Sequence, residues 1–117
     1  MKIESEAFGP GKPIPATHTC DGQDSSPPLQ WGESPASTRT FALICDDPDA
    51  PSRTWVHWLV WNIPSERRGL ARGIGATAEL PDGTRQGTTD FGRIGYGGPC
   101  PPSGTHRYVF HLYALDR

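Results

Sequence analysis

The acidic, proline-rich stretch Asp46-Asp47-Pro48-Asp49-Ala50-Pro51 leads, after three further residues, into the apolar run Trp55-Val56-His57-Trp58-Leu59-Val60-Trp61-Asn62-Ile63. The prolines restrict the backbone and favour an extended conformation in the residues before them. The run is rich in aromatic and β-branched residues, which are typical of strands. Carboxylates and a histidine therefore meet at the border of an apolar core, and this predicts a small polar pocket.

Length and composition predict one folded domain. A chain of 117 residues can build a single hydrophobic core, so we expect residues 1–117 to form one domain. Its 14 glycines and 13 prolines indicate many turns, while four tryptophans, three tyrosines and four phenylalanines argue against disorder.

Charge and hydropathy argue against several classes of partner. A formal net charge of -2 without a basic stripe argues against nucleic acid. The first six residues lack the apolar core of a signal peptide, and no apolar stretch is long enough to cross a bilayer. We therefore expect a cytoplasmic protein with no transmembrane segment.

The cysteines do not predict a metal site. Cys20, Cys45 and Cys100 are odd in number and show neither C-x-x-C spacing nor a neighbouring histidine pair. We expect three free thiols rather than a disulfide, since a cytoplasmic protein is usually kept reduced. No metal and no cofactor is predicted.

The distribution of apolar runs predicts an all-β domain with long Gly/Pro loops. Strand-like runs occur at residues 29–31, 40–45, 55–63 and 106–115, and no segment longer than two turns has a helical period. The glycine-rich segment 70–104 is expected to be an extended, ordered loop system. Loops of this length are usually the functional part of such a domain.

Side-chain alternation predicts which faces are covered. Both alternating sets in the run 55–63 are apolar, which predicts a strand covered on both faces. These sets are Val56, Trp58 and Val60 against His57, Leu59 and Trp61. In the run 106–113, a period of two places His106, Tyr108, Phe110 and Leu112 on one face. His106 and Tyr108 are thus expected to point into one cavity.

Each candidate residue also has an ordinary structural interpretation. Asp47 and Asp49 are typical of turn acids that accept hydrogen bonds from backbone N–H groups. His57 is typical of a core histidine whose ring nitrogens bond to neighbours. Arg107 is expected to pair with a loop carboxylate, either Asp49 or Asp90. The residue types alone leave both interpretations open.

Several longer motifs resemble a known family. They are Asp46-Asp47-Pro48-Asp49-Ala50-Pro51, Trp55-Val56-His57-Trp58, Gly92-Arg93-Ile94-Gly95-Tyr96-Gly97-Gly98-Pro99-Cys100-Pro101-Pro102 and His106-Arg107-Tyr108. Together with Cys20-Asp21-Gly22 and Ser26-Pro27-Pro28-Leu29-Gln30-Trp31, they resemble the phosphatidylethanolamine-binding protein family, also called the Raf kinase inhibitor protein family. The bacterial branch is the most similar, and the resemblance runs in order over nearly the whole chain.

The resemblance implies a β-sandwich-like fold with an anion-binding pocket. Carried over residue by residue, the ligand-binding set is Asp47, Trp55, His57, Gly98, Pro101, His106 and Tyr108. Trp55, Gly98 and Pro101 would shape the wall. Imidazole N–H and tyrosine O–H groups would donate to phosphate or carboxylate oxygens, and Asp47 would orient a histidine.

The implied function is non-enzymatic binding of a small anion, such as phosphate, the phosphoethanolamine head group of a phospholipid, or a phosphorylated partner. One alternative is an enzyme in which His57 or His106 is the general acid or base and Asp47 sets its tautomer. Cys100 beside the pocket would add a thiol route. The other alternative is an interaction protein with a vestigial pocket.

The sequence departs from the family at its end. Family members continue past the last strand into a C-terminal helical part, whereas this sequence stops at Arg117. We therefore expect the helical part to be absent, and we expect the surface it would cover to be exposed or covered by a second copy in a homodimer.

Overall fold

The computed structural model describes residues 2–51, 53–100 and 106–117, and within them the chain forms two antiparallel sheets. The strands are Ile3–Glu4 (β1), Leu29–Trp31 (β2), Thr40–Asp47 (β3), Trp55–Pro64 (β4), Gly69–Leu70 (β5), Arg85–Gln86 (β6) and Val109–Leu115 (β7). The order is β1-β2-β5 in one sheet and β6-β4-β3-β7 in the other. A short 3₁₀ helix spans Ala16–His18. The predicted all-β class is confirmed.

The core lies between the two sheets and is built mainly by β3 and β4. In β3 the alternation is regular, since Phe41, Leu43 and Cys45 are buried and the residues between them are half-buried. Trp31 of β2 reaches across to Phe41, with ring centroids 5.4 Å apart. This aromatic contact joins the two sheets, and burial of such large apolar side chains is the main source of stability here.

A β-bulge interrupts the alternation in β4 beside the acidic corner. Cys45 pairs with Trp58, but the next β3 residue, Asp46, pairs with Val56, so His57 is an extra residue without a partner in β3. Both His57 and Trp58 are consequently buried, with 3% and 0% of their surfaces exposed. Bulges of this kind redirect one side chain at the edge of a site.

The outer face of β4 corrects the prediction that this strand is covered on both faces, because Trp61, which continues the regular alternation after half-buried Leu59, is 41% exposed. A second register shift lies between the pairs Phe41↔Ile63 and Leu43↔Val60, and Asn62 there has a positive φ of 57°. The left-handed conformation suits asparagine better than most residues.

Of the predicted loop segment 70–104, residues 70–100 form mostly ordered loop with the short strand β6, as predicted, while 101–104 lie outside the described residues. Buried Gln86 organises it, because its side-chain amide donates to the carbonyls of Gly75 at 2.7 Å and Thr77 at 2.9 Å. Its Oε1 atom accepts a hydrogen bond from the indole of Trp58 at 2.8 Å. The loop is therefore tied to the core by a satisfied polar network.

The expectation of three free thiols is wrong. Cys20 and Cys100 form a disulfide that joins the region after the 3₁₀ helix to the end of the long loop. Cys45 is free and buried in β3. Burial raises the pKa of the Cys45 thiol, and the nearby carboxylates of Asp46 and Asp47 add to the effect.

In the part of the chain that the structure describes, no helix has the length and apolar character needed to span a membrane.

Candidate functional site

A cavity of about 270 Å³ lies where the end of β3, the start of β4 and the approach to β7 meet. Among the described residues its walls are formed by Asp47, Ala50, Pro51, Trp55, His57, Phe91, Cys100, His106 and Tyr108. Five of the seven predicted site residues are thus brought together, from three separate segments.

Asp47 ends β3 and is almost fully buried. Its Oδ1 atom accepts a hydrogen bond from the backbone N–H of Asp49 at 2.9 Å, which stabilises the turn. Its Oδ2 atom lies 2.6 Å from Nδ1 of His106. Asp47 is therefore both a turn acid and the residue that orients a histidine.

His57 is held by the backbone on the opposite side of the cavity. Its Nδ1 lies 2.6 Å from the carbonyl oxygen of Gly97, and the N–H of Gly97 donates back to the carbonyl of His57 at 2.9 Å. A carbonyl oxygen only accepts, so Nδ1 must carry the proton. The rings of Phe91 and Tyr108 each contact the imidazole edge to face, at 5.2 Å. These contacts fix the orientation of the imidazole ring. Its Nε2 atom has no partner among the described residues.

Tyr108 supplies a hydroxyl that has no partner in the described part of the chain. Its oxygen is buried and makes no hydrogen bond to any described residue. Burial, followed by the charge of Asp47, raises the pKa of Tyr108 to about 12, so the phenol remains a donor at neutral pH. A buried donor without an acceptor costs about 1–3 kcal/mol.

Phe91 is a cavity residue that the sequence analysis missed. It packs against Trp55 with ring centroids 5.7 Å apart, and the two rings form the apolar wall. The neighbouring Asp90 fixes this loop to β4, because its carboxylate accepts from the N–H of Val56 at 2.7 Å and from Arg53 at 2.8 Å. The available signal was a lone aromatic residue within a glycine-rich segment. Ala50 and Pro51 were also missed as wall residues, whereas Cys100 was expected beside the pocket.

Gly98 is not among the residues that line the cavity, and Pro101 lies outside the described residues. The N–H of Gly98 donates to Oδ1 of Asp24 at 2.7 Å. A Cβ atom at this position would overlap the main-chain carbonyl of His18. Glycine is required here by close backbone packing, which holds the loop between Gly97 and Cys100 in place.

Arg107 pairs with Asp49, one of the two partners expected. Its Nε and Nη2 atoms each lie 3.0 Å from a carboxylate oxygen, and its backbone N–H donates at 2.8 Å. Hydrogen bonding to Arg107 lowers the pKa of Asp49 to about 2. The pair anchors the residue beside His106 to the acidic corner.

A family model described as phosphatidylethanolamine-binding protein matches residues 4–117. The chain belongs to the phosphatidylethanolamine-binding protein family. A UPF0098 protein of Methanothermobacter thermautotrophicus is 52% identical over 116 residues, which are 99% of this chain and 77% of the relative. The UPF0098 protein YbhB of Escherichia coli is 44% identical over 124 residues, and the match covers 99% of this chain and 78% of YbhB.

Solved structures of the phosphatidylethanolamine-binding protein family superimpose closely on this fold. YbcL of Escherichia coli, described as a new member of the mammalian family, has a TM-score of 0.91 at 37% identity and covers 99% of this chain and 77% of its own. A protein from Chlamydia trachomatis, described as a putative homologue, has a TM-score of 0.88 at 38% identity. The match covers 98% of this chain and 74% of the Chlamydia protein. The resemblance inferred from the motifs is confirmed at the level of family and fold.

Proposed function

We propose that this protein binds small anions in the cavity, the ligand being a phosphate group, either free, in a phospholipid head group or on a phosphorylated partner. The observation that carries the proposal is that His57 and His106 line one cavity, each with Nδ1 engaged and Nε2 free of any described partner. Tyr108 lines the same cavity, and its buried hydroxyl has no acceptor among the described residues. A phosphate group carries several acceptor oxygens, so one ligand could engage more than one of these side chains.

Thermal unfolding with inorganic phosphate and phosphoethanolamine tests the proposal. Each ligand should raise the Tm of the wild type, because a ligand that binds only the folded state stabilises it. His57→Ala should remove the shift. His111→Ala is the matched control, since His111 pairs with Asp46 at 3.2 Å and lies outside the cavity. Absence of a shift in the wild type, or an equal shift in His57→Ala, would contradict the proposal.

The short contact between Asp47 and His106 favours one second candidate, an enzyme that uses general acid–base catalysis. An aspartate that holds Nδ1–H leaves Nε2 able to accept a proton from a substrate. The thiol route is closed in this structure because Cys100 is bonded to Cys20. A turnover screen with small esters and phosphoesters checks the idea, and any genuine activity should fall sharply in Asp47→Asn.

A further inference from the structure

We propose that the disulfide between Cys20 and Cys100 is a redox switch for the cavity, so that the oxidised protein binds its ligand more tightly than the reduced protein. Cys100 lines the cavity, whereas Cys20 is not among the lining residues. The bond therefore ties one wall of the site to a separate part of the chain. The proposal rests on the proposed anion site and adds its regulation.

Both ends of the disulfide are open to solvent. Cys20 and Cys100 are exposed, whereas Cys45, the free thiol, is buried in β3. Exposed disulfides are more easily reduced than buried structural ones and are often regulatory. A dithiol can reach this bond in the folded protein. It gives two electrons and two protons to the two sulfurs, which become thiols, and is itself oxidised to a disulfide.

The loop that leads to Cys100 is held mainly by contacts that do not involve the disulfide. Gly97 exchanges two hydrogen bonds with His57, and the N–H of Gly98 donates to Oδ1 of Asp24 at 2.7 Å. Residues 97–99 are also buried. These contacts keep the loop and the imidazole ring in place when the bond opens, so reduction leaves the fold intact.

Cys100 itself depends on the disulfide. Within the described part of the chain, Cys100 makes no hydrogen bond. The nearest backbone contact is the N–H of Cys20, which donates to the carbonyl of Pro99 at 3.2 Å, the long end of the usual range. When the disulfide opens, exposed Cys100 is free to leave the cavity wall.

A mobile wall weakens binding, because the ligand has to order it. In the oxidised protein the disulfide has already fixed Cys100 in the wall, so binding carries no such cost. Fixing the backbone of a single residue is enough to change an affinity by about 10-fold. We therefore expect reduction to weaken binding by about this factor without unfolding the protein.

Calorimetric titration with inorganic phosphate, before and after reduction, tests the proposal. Dithiothreitol is the suitable reductant, because near pH 7 it is mostly uncharged and does not compete for an anion site. We expect the Kd to rise about 10-fold on reduction and to recover on reoxidation, while the near-UV circular dichroism keeps its folded signal.

Three results would overturn the switch and leave the anion site standing. They are equal or tighter binding of phosphate after reduction, a disulfide that dithiothreitol does not open without denaturant, and global unfolding on reduction. Absence of phosphate binding in both redox forms would overturn the anion site as well.

The variant Cys20→Ser opens the bond without changing a residue of the cavity wall. In dithiothreitol, which keeps Cys100 as a free thiol, we expect it to bind phosphate as weakly as the reduced wild type. His111→Ala is the control, since His111 lies outside the cavity and this variant should keep the wild-type response to reductant. Binding by Cys20→Ser as tight as that of the oxidised wild type would contradict the proposal.

Hydrogen exchange of the wild type gives a readout that needs neither a variant nor a ligand. On reduction, the amide of Cys20 should lose protection, because the covalent link that holds it against the carbonyl of Pro99 is gone. The amide of Gly98 should keep its protection, because Asp24 still holds it. Unchanged protection of the Cys20 amide after complete reduction would contradict the loosening of the wall.

Discussion

Asp47 shows that a structural and a functional interpretation of one residue can both hold. Its Oδ1 atom stabilises the turn through Asp49, as a turn acid should, while its Oδ2 atom orients His106. The two prolines of the corner restrict the backbone, and this helps to hold Asp47 in the position where it makes both contacts. The sequence predicted the role of Asp47 but not which histidine it would orient.

At the acidic corner, we predict that Asp49→Asn lowers thermal stability in a pH-dependent way. The pKa of Asp49 is lowered to about 2 by Arg107, so the pair stabilises the fold above the unfolded-state pKa of about 3.9 and this contribution is lost as the pH falls through about 2. Calorimetry should show a difference in Tm from the wild type that is constant above about pH 5 and disappears near pH 2.

The matched control is Glu79→Gln, which removes a surface ion pair. In this pair Nη1 of Arg85 lies 2.7 Å from Oε1 of Glu79. We expect it to change Tm little, because exposed single-contact pairs contribute little. A Tm difference for Asp49→Asn that persists unchanged down to pH 2 would contradict the assigned cause.

At the level of strands and loops, the longer strands were predictable and the bulges were not. β3 follows a strict period of two in the structure, and the sequence predicted the strand but not which of its faces is buried. In β4 nearly every residue is apolar, so the pattern contains no mark of the extra residue at His57 or of the shift near Asn62. Side-chain type does not report backbone register when both faces are apolar.

The loop before Cys100 should tolerate no side chain at Gly98. We predict that Gly98→Ala destabilises the protein by about 1–3 kcal/mol, the usual cost of overpacking, because its Cβ would overlap the carbonyl of His18 and lie 2.5 Å from Asp24 Oδ1. Urea denaturation measures the change. Gly32→Ala is the control, since nothing lies within 4 Å of the added carbon. Equal stability of the two variants would contradict the close packing.

For the molecule as a whole, the disulfide was the feature hardest to foresee. Cys20 and Cys100 are 80 residues apart, and their pairing depends on contacts that only the fold creates. The N–H of Cys20 donates to the carbonyl of Pro99 at 3.2 Å, and Asp24 binds both Gly98 and Arg93. The number and spacing of the cysteines do not predict these contacts. The family and the overall fold, by contrast, were recognisable from the motifs.

Thiol titration should find one reactive cysteine after denaturation without reductant and three after reduction. In the native protein, Cys45 should react slowly because it is buried and its pKa is raised. Reduction should lower the free energy of unfolding by about 2–4 kcal/mol, because the closed loop is long.

A double variant, Cys20→Ser with Cys100→Ser, is the control for reduction, since its stability should not respond to reductant. Three reactive thiols in the denatured, unreduced wild type would show that the bond does not form in solution.

The bulge at His57 also bears on how the family tolerates insertions and deletions. Because His57 has no partner in β3, a chain with one residue fewer between Trp55 and Trp58 could still align both tryptophans with the neighbouring strand. Such a chain would keep the sheet and lose the imidazole from the cavity wall. The number of residues between these two tryptophans is therefore a simple criterion for which related sequences can build this cavity.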